Sequence, residues 1–394
     1  MRLRSRSSVL WLLGTALAVS GCTATPAWRP VDLGALQPSS LVTAGDELLV
    51  GGQASGGPAL ARLSPSGART ELALTPDGPE AQAAALVRLA VRGDQVQALG
   101  TMISGAHSNP RWTVWDGSLA AGTLTSHPQE FFTFGGHDAG PLLGVDWVVG
   151  QPVILGSRTT TTGARAALYQ SLGTTWREGS DRPGELASTT TSQLGFSALA
   201  STGENLVIAG DEVVLSQPLR QRPLIWVGRP GGSWTRLEPA TPTTDGSGLA
   251  RAQAAACTSD GTCWVAGWVH GQLVAWSVAA GAAPSASGPE LPAGDAGAGT
   301  PESPDPVPQL AIWQGRPVLA GNGPRPELQV RCDSGWRPLP LPDRNGDGSI
   351  SVHPSQSDSQ EPSPAATVTA LAAVGPRLYV LIGRTLWAID RSPC

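Results

Sequence analysis

A short apolar run that closes on glycine recurs seven times along this 394-residue chain. The copies are Leu48-Leu49-Val50-Gly51-Gly52, Val96-Gln97-Ala98-Leu99-Gly100, Val153-Ile154-Leu155-Gly156, Leu206-Val207-Ile208-Ala209-Gly210, Trp264-Val265-Ala266-Gly267, Val318-Leu319-Ala320-Gly321 and Leu378-Tyr379-Val380-Leu381-Ile382-Gly383. The closing glycines stand 48, 56, 54, 57, 54 and 62 residues apart. A fixed period of this size marks an array of like supersecondary units.

Each run follows an apolar stretch and a glycine-containing turn, as in SLVTAGDE, RLAVRGDQ and LAIWQGR. Two short apolar segments joined in this way form a β-hairpin. A third apolar segment follows each glycine: 59–63, 111–115, 166–170, 223–227, 273–277, 327–331 and 385–389. A fourth is clearest at Trp176-Arg177, Trp234-Thr235-Arg236-Leu237 and Trp336-Arg337-Pro338-Leu339. Four antiparallel strands repeated radially predict a seven-bladed all-β propeller over 27–394, with a pair of β-sandwiches as the competing architecture. The seventh unit ends at Cys394 after three strands, and Trp28-Arg29-Pro30-Val31-Asp32-Leu33 copies the missing fourth. The ring is therefore expected to close with an N-terminal strand.

Composition agrees: with 49 Gly and 35 Pro the chain is rich in turn formers, and charged residues are only 14%. Its net charge is -5 and every cation is Arg. An acidic chain of this kind excludes nucleic-acid binding through a broad basic surface.

The unit resembles the kelch repeat and its sialidase-like relatives, on three features: an apolar strand ending in Gly51-Gly52, an aromatic third strand, and an outer Trp before a Pro-containing turn. The last unit, RLYVLIGRTLWAID, is more similar to the repeat of quinone-binding propellers and of the outer-membrane assembly lipoprotein built on them. The resemblance implies architecture, and architecture does not fix function. A sialidase site needs a Tyr nucleophile with a Glu partner, and a galactose-oxidase-like copper site needs two Tyr and a Cys. Here the only tyrosines, Tyr169 and Tyr379, fall within apolar strands.

Residues 1–21 read as a secretory signal, with Arg2, Arg4 and Arg6 before an apolar run too short for a membrane span. Val19-Ser20-Gly21-Cys22 resembles the bacterial lipobox, which implies lipid modification of Cys22, a tether over 22–26 and an extracytoplasmic, membrane-anchored protein. Removing Cys22 leaves Cys257, Cys263, Cys332 and Cys394, which allow three pairings. A Cys257–Cys263 bridge across one hairpin turn is the natural first pair, and Cys332–Cys394 follows by default; free buried thiols are the alternative.

Strand alternation sends the loops between second and third strands, and those between blades, to one end of the ring, here called the long-loop face. All five histidines (107, 127, 137, 270 and 353) are expected there. The richest loop places His127, Glu130, His137 and Asp138 around Phe131, Phe132 and Phe134. Imidazole and carboxylate together suit a metal such as Zn or Mn, but a partner-binding loop with an aromatic anchor is the stronger expectation. Trp268, beside His270, is the tryptophan singled out as an exposed sugar-stacking candidate. Asp343, Asn345, Asp347 and Ser349 fit the start of a calcium loop, which makes structural Ca2+ the one cofactor expected. The stretches 281–308 and 343–364, rich in Pro, Ala, Gly and Ser, read as insertions between blades.

These observations lead to a monomeric, lipid-anchored, non-enzymatic scaffold that recruits a protein or glycan at the long-loop face. The alternatives are a metal-dependent hydrolase or lyase at the channel mouth, and an envelope-assembly factor.

Overall fold

The computed structural model describes residues 27–104, 109–180, 183–242, 249–292, 307–322, 326–342 and 367–394. The signal, Cys22 and its tether, His107, His353 and the calcium-type residues Asp343, Asn345, Asp347 and Ser349 lie outside these residues.

Seven antiparallel sheets form the ring. Blade 1 comprises Gln37–Ala44, Glu47–Ala54, Gly57–Leu63 and Arg69–Glu71, and blade 2 comprises Ala85–Arg92, Gln95–Ser104, Asn109–Ser118 and Thr123–His127. Blades 3 to 6 span 139–178, 192–237, 250–290 and 309–339. Blade 7 is Val368–Val374, Arg377–Ile382 and Thr385–Ile389, completed by Arg29–Val31 from the start of the propeller. That strand pairs antiparallel with the last one, Arg29 opposite Ala388 and Val31 opposite Leu386. The predicted closure is thus met, and the chain enters the ring at the end carrying the tight turns between first and second strands. Blade 2 holds a fifth strand, Ala73–Thr75, parallel to Thr123–Thr125. Part of the expected 281–308 insertion is sheet: Ser285–Glu290 is the outer strand of blade 5.

The core is divided as the repeat demands. There are seven buried apolar clusters, one at each junction between adjacent blades. A blade cannot bury both its faces alone, so closing the ring supplies each face with a partner. Trp115, Trp226 and Trp276 on third strands are fully buried. Trp226 and Trp276 donate their indole N–H to Glu185 and Ala240 carbonyls in the loops that precede their blades, at 2.8 and 2.7 Å. Each tryptophan so fastens a connection as well as filling a junction.

The recurring glycine has a structural cause. In six blades the innermost strand carries a β-bulge, and in blades 1 to 5 the repeat glycine sits opposite it, with Gly52 facing Pro38, Gly100 facing Leu86, Gly156 facing Leu142, Gly210 facing Phe196 and Gly267 facing Ala252. The bulge pushes backbone toward the second strand. A Cβ on Gly52 would lie 2.0 Å from the Gln37 carbonyl oxygen, and one on Gly267 1.8 Å from that of Arg251. The seventh copy differs: Ile382 occupies the position opposite the bulge, and Gly383 is a turn residue with φ +60°.

Two disulfides join Cys257 to Cys263 and Cys332 to Cys394. The first closes a hairpin whose register sets the two cysteines opposite each other. The second fastens the C-terminus to blade 6. Both fit an oxidising, extracytoplasmic setting. Among the described residues no helix is long and apolar enough to cross a membrane.

Candidate functional site: a groove between blades 2 and 3

The connection from blade 2 to blade 3 folds into a one-turn helix, Phe131–Phe134, on the long-loop face. Its three phenylalanines divide by direction. Phe134 is buried and meets Tyr169 edge-on at 5.0 Å, whereas Phe131 and Phe132 are 55% and 73% exposed. Arg158, a buried cation from blade 3, holds the turn in place. It donates to the carbonyls of Phe132 and Thr133, each at 2.9 Å, to Asp138 at 2.8 Å and to the Tyr169 hydroxyl at 3.2 Å. Helix carbonyls without helical partners are satisfied in this way. The desolvation cost on Asp138 is outweighed by the charge and hydrogen bond of Arg158, which hold its carboxyl below the ordinary value.

Beside this turn lie two recesses of about 230 and 700 Å3 that share Pro110, Arg111, Trp112, Phe131, Phe134 and Gly135 in their walls. Together they form a groove. Arg111 stacks over Phe131, 5.2 Å from the ring centroid, so a cation and an aromatic face are presented as one unit. The smaller recess is also walled by Asp77, Glu80, His127 and Glu130, and the larger by Phe132 and His137. His127 ends the fourth strand of blade 2, and its Nε2 contacts the Asp116 carboxylate on the neighbouring strand.

The structure therefore brings His127, Glu130, His137 and Asp138 into one loop region but gives them different tasks. Asp138 belongs to the Arg158 network and His127 to Asp116. Among the described residues no three His, Cys, Asp or Glu side chains gather closely enough to hold a metal ion. His270 sits in the turn between second and third strands of blade 5, on the expected face, with φ 49°. Trp268 is a correction: it is 2% exposed and packs with Ala266, Leu273 and Leu319 between blades 5 and 6, so it offers no ring to a sugar. It lies on the blade face that blade 6 covers. Sequence reasoning also missed Arg111, Trp112, Asp116 and Arg158. The first three lie in or next to the RWTVW strand, where nothing local separates a groove wall from core, and Arg158 acts over 20 or more residues.

The long-loop face is distinguished as a whole. Ten large apolar side chains are exposed among the described residues, and eight of them are at this end: Ile103, Phe131, Phe132, Leu215, Leu219, Leu249, Leu291 and Val307. The face has less loop length between second and third strands than the sequence led one to expect. Blades 1, 3, 5 and 7 join these strands by two-residue turns, so its breadth comes from connections between blades.

No protein-family model and no curated protein sequence matches the chain. Solved structures do match in fold. Virginiamycin B lyase from Staphylococcus aureus is 10% identical with a TM-score of 0.50, over 93% of this chain and 98% of that one. The GH74 xyloglucanase from Xanthomonas campestris is 17% identical with a TM-score of 0.53, over 93% of this chain and 54% of that one. This chain spans about half the length of the xyloglucanase. At such identities the likeness is one of fold, and it places this chain among the seven-bladed β-propellers.

Proposed function

We propose that this protein is a lipid-anchored extracytoplasmic scaffold that binds a partner protein on its long-loop face, with the Phe131–Phe132 turn and the Arg111 groove as the anchor point. The observation that carries this reading is the gathering at one end of the ring of eight of the ten large apolar side chains exposed among the described residues. Exposed apolar surface in such a concentration marks an interaction site. Aliphatic residues at 215, 219, 249 and 291 suit a protein surface better than a glycan, which aromatic faces recognise. Lipid on Cys22 would attach the chain at the opposite, tight-turn end, where Arg29 enters the ring, and would leave the long-loop face outward. The partner class includes an envelope-assembly machine.

A photocrosslinking residue at position 132, compared with one at Val149 on the tight-turn end, tests this in intact cells. Strong, discrete adducts from 132 alone are expected. Equal yields from both positions would refute it. Cys22→Ser should move the protein from the membrane to the soluble fraction.

One observation favours a second reading. His127, oriented by Asp116 in a recess that also holds Arg111 and Glu130, has the parts of an acid–base site that works without metal. A lyase and a xyloglucanase are built on the same fold. Turnover of a saccharide or lactone panel that disappears in His127→Ala but persists in Phe132→Ala would promote this reading over the scaffold.

A further inference from the structure

At the axis of the ring, apart from the groove, the seven innermost strands enclose a channel of about 460 Å3. Among the described residues that line it, two are charged: Arg88 on the innermost strand of blade 2 and Asp146 on that of blade 3. The serines, Gln253, Gln309 and Thr369 supply its other polar side chains among the described residues.

Arg88 is aimed by backbone. Its Nε donates to the Leu143 carbonyl at 3.0 Å and a terminal nitrogen to the Val87 carbonyl at 2.8 Å. Val87 and Leu143 are the extra residues at the bulges of their strands. The bulges thus free carbonyls that fix the guanidinium, and the side chain stays open to the lumen. Burial lowers the affinity of Arg88 for its proton, and no carboxylate opposes that shift. Asp146 accepts from the Trp147 N–H at 2.8 Å and has no cationic partner. The two charges do not form an ion pair with each other. A guanidinium without a counter-charge, inside low-dielectric walls that focus its field, attracts anions. Its planar fork matches an oxyanion.

We propose that the channel is an oxyanion site in which Arg88 binds a small carboxylate- or sulfate-like ligand and Asp146 acts as its gate, repelling the ligand when ionised and admitting it when protonated. Burial, opposed by backbone hydrogen bonds from Trp147 and Ser201, raises Asp146 to about 6, so the gate works in a mildly acidic range. Arg88 is the other charged residue among the described residues that line the channel.

Isothermal titration of the full chain with sulfate, which does not titrate in this range, provides the test, with acetate as the carboxylate arm. Sulfate should bind at least about fivefold tighter near pH 5 than near pH 7.5, because an ionised Asp146 in the same lumen repels the bound anion. Arg88→Gln should abolish binding, and Arg88→Lys should retain it more weakly. Asp146→Asn should bind as the acid form does at both pH values. If Arg88→Gln does not fold, Asp146→Asn still decides the matter: a pH dependence unchanged from wild type would overturn the proposal. So would the absence of binding of both sulfate and acetate by wild-type protein at millimolar concentration near pH 5, or undiminished binding by folded Arg88→Gln. Acetate without sulfate binding would assign the site to carboxylates, and both binding to oxyanions in general. These results bear on the channel alone and leave the groove untouched.

Discussion

Asp146→Asn removes a charge that the folded ring holds at a cost. The carboxyl titrates at about 6 in the channel against an ordinary value of 3.8. Above pH 6 it is ionised in both folded and unfolded chains, and the folded state bears the desolvation cost. Between about pH 6 and pH 4 the folded state takes up a proton that the unfolded chain does not, so stability from this group rises as pH falls through that window and declines as pH rises through it. Two pK units correspond to about 3 kcal/mol. The side chain is only partly covered and lumen water screens it, so about 1–3 kcal/mol is the working figure. Asparagine keeps the acceptor for the Trp147 N–H at 2.8 Å and discards the charge. The variant should therefore be more stable than wild type by about 1–3 kcal/mol at pH 7.5 and equal to it near pH 4. Urea unfolding of both proteins at the two pH values measures this. The difference between variant and wild type cancels the contributions of other carboxylates, including Asp138 and Asp390, whose values are lowered. A variant with the same advantage at both pH values, or with none at pH 7.5, would refute the reasoning.

Val149 is a β-branched residue at φ 48° in an exposed turn, and Val149→Asn should stabilise by about 1 kcal/mol in thermal melts. Gly267→Ala places a Cβ 1.8 Å from the Arg251 carbonyl oxygen and should destabilise by about 3 kcal/mol, read by denaturant midpoint. Cys394→Ser opens a bridge between positions 62 residues apart and should cost about 2–4 kcal/mol, with wild type losing at least as much under reductant, which also opens Cys257–Cys263. Calcium at Asp343, Asn345, Asp347 and Ser349 should raise the melting temperature, an effect that a chelator reverses and Asp343→Ala removes.

Much of the fold was legible because its determinants are local or periodic. The repeat glycines in blades 1 to 5 mark a close approach at the bulge, of backbone at Gly52, Gly210 and Gly267 and of side chains at Gly100 and Gly156, that recurs with the same hairpin. The copy of the outer strand at Trp28–Leu33 showed the closure because ring geometry leaves one strand vacant. Gly383 was misaligned by one position because a turn glycine and a bulge glycine look alike in sequence. The candidate loop at 126–140 was visible from its clustered His and Phe. Its organisation was not, because Arg158, which shapes it, arrives from another blade.

The sequence by itself thus determined the number of blades, the closing strand, both disulfides and the end of the ring at which His127, His137 and His270 lie. These follow from hydrogen-bonding pattern and chain direction, which short segments encode. Only the tertiary structure decided which face of each blade is covered. It buried Trp268 against blade 6, set His127 on Asp116, stacked Arg111 on Phe131, and left Arg88 and Asp146 facing one lumen without pairing. The environments of Trp268, Arg88 and Asp146 are made where blades about 55 residues apart in sequence pack together, and those of His127 and Arg111 where neighbouring strands pair and the connection after them folds back.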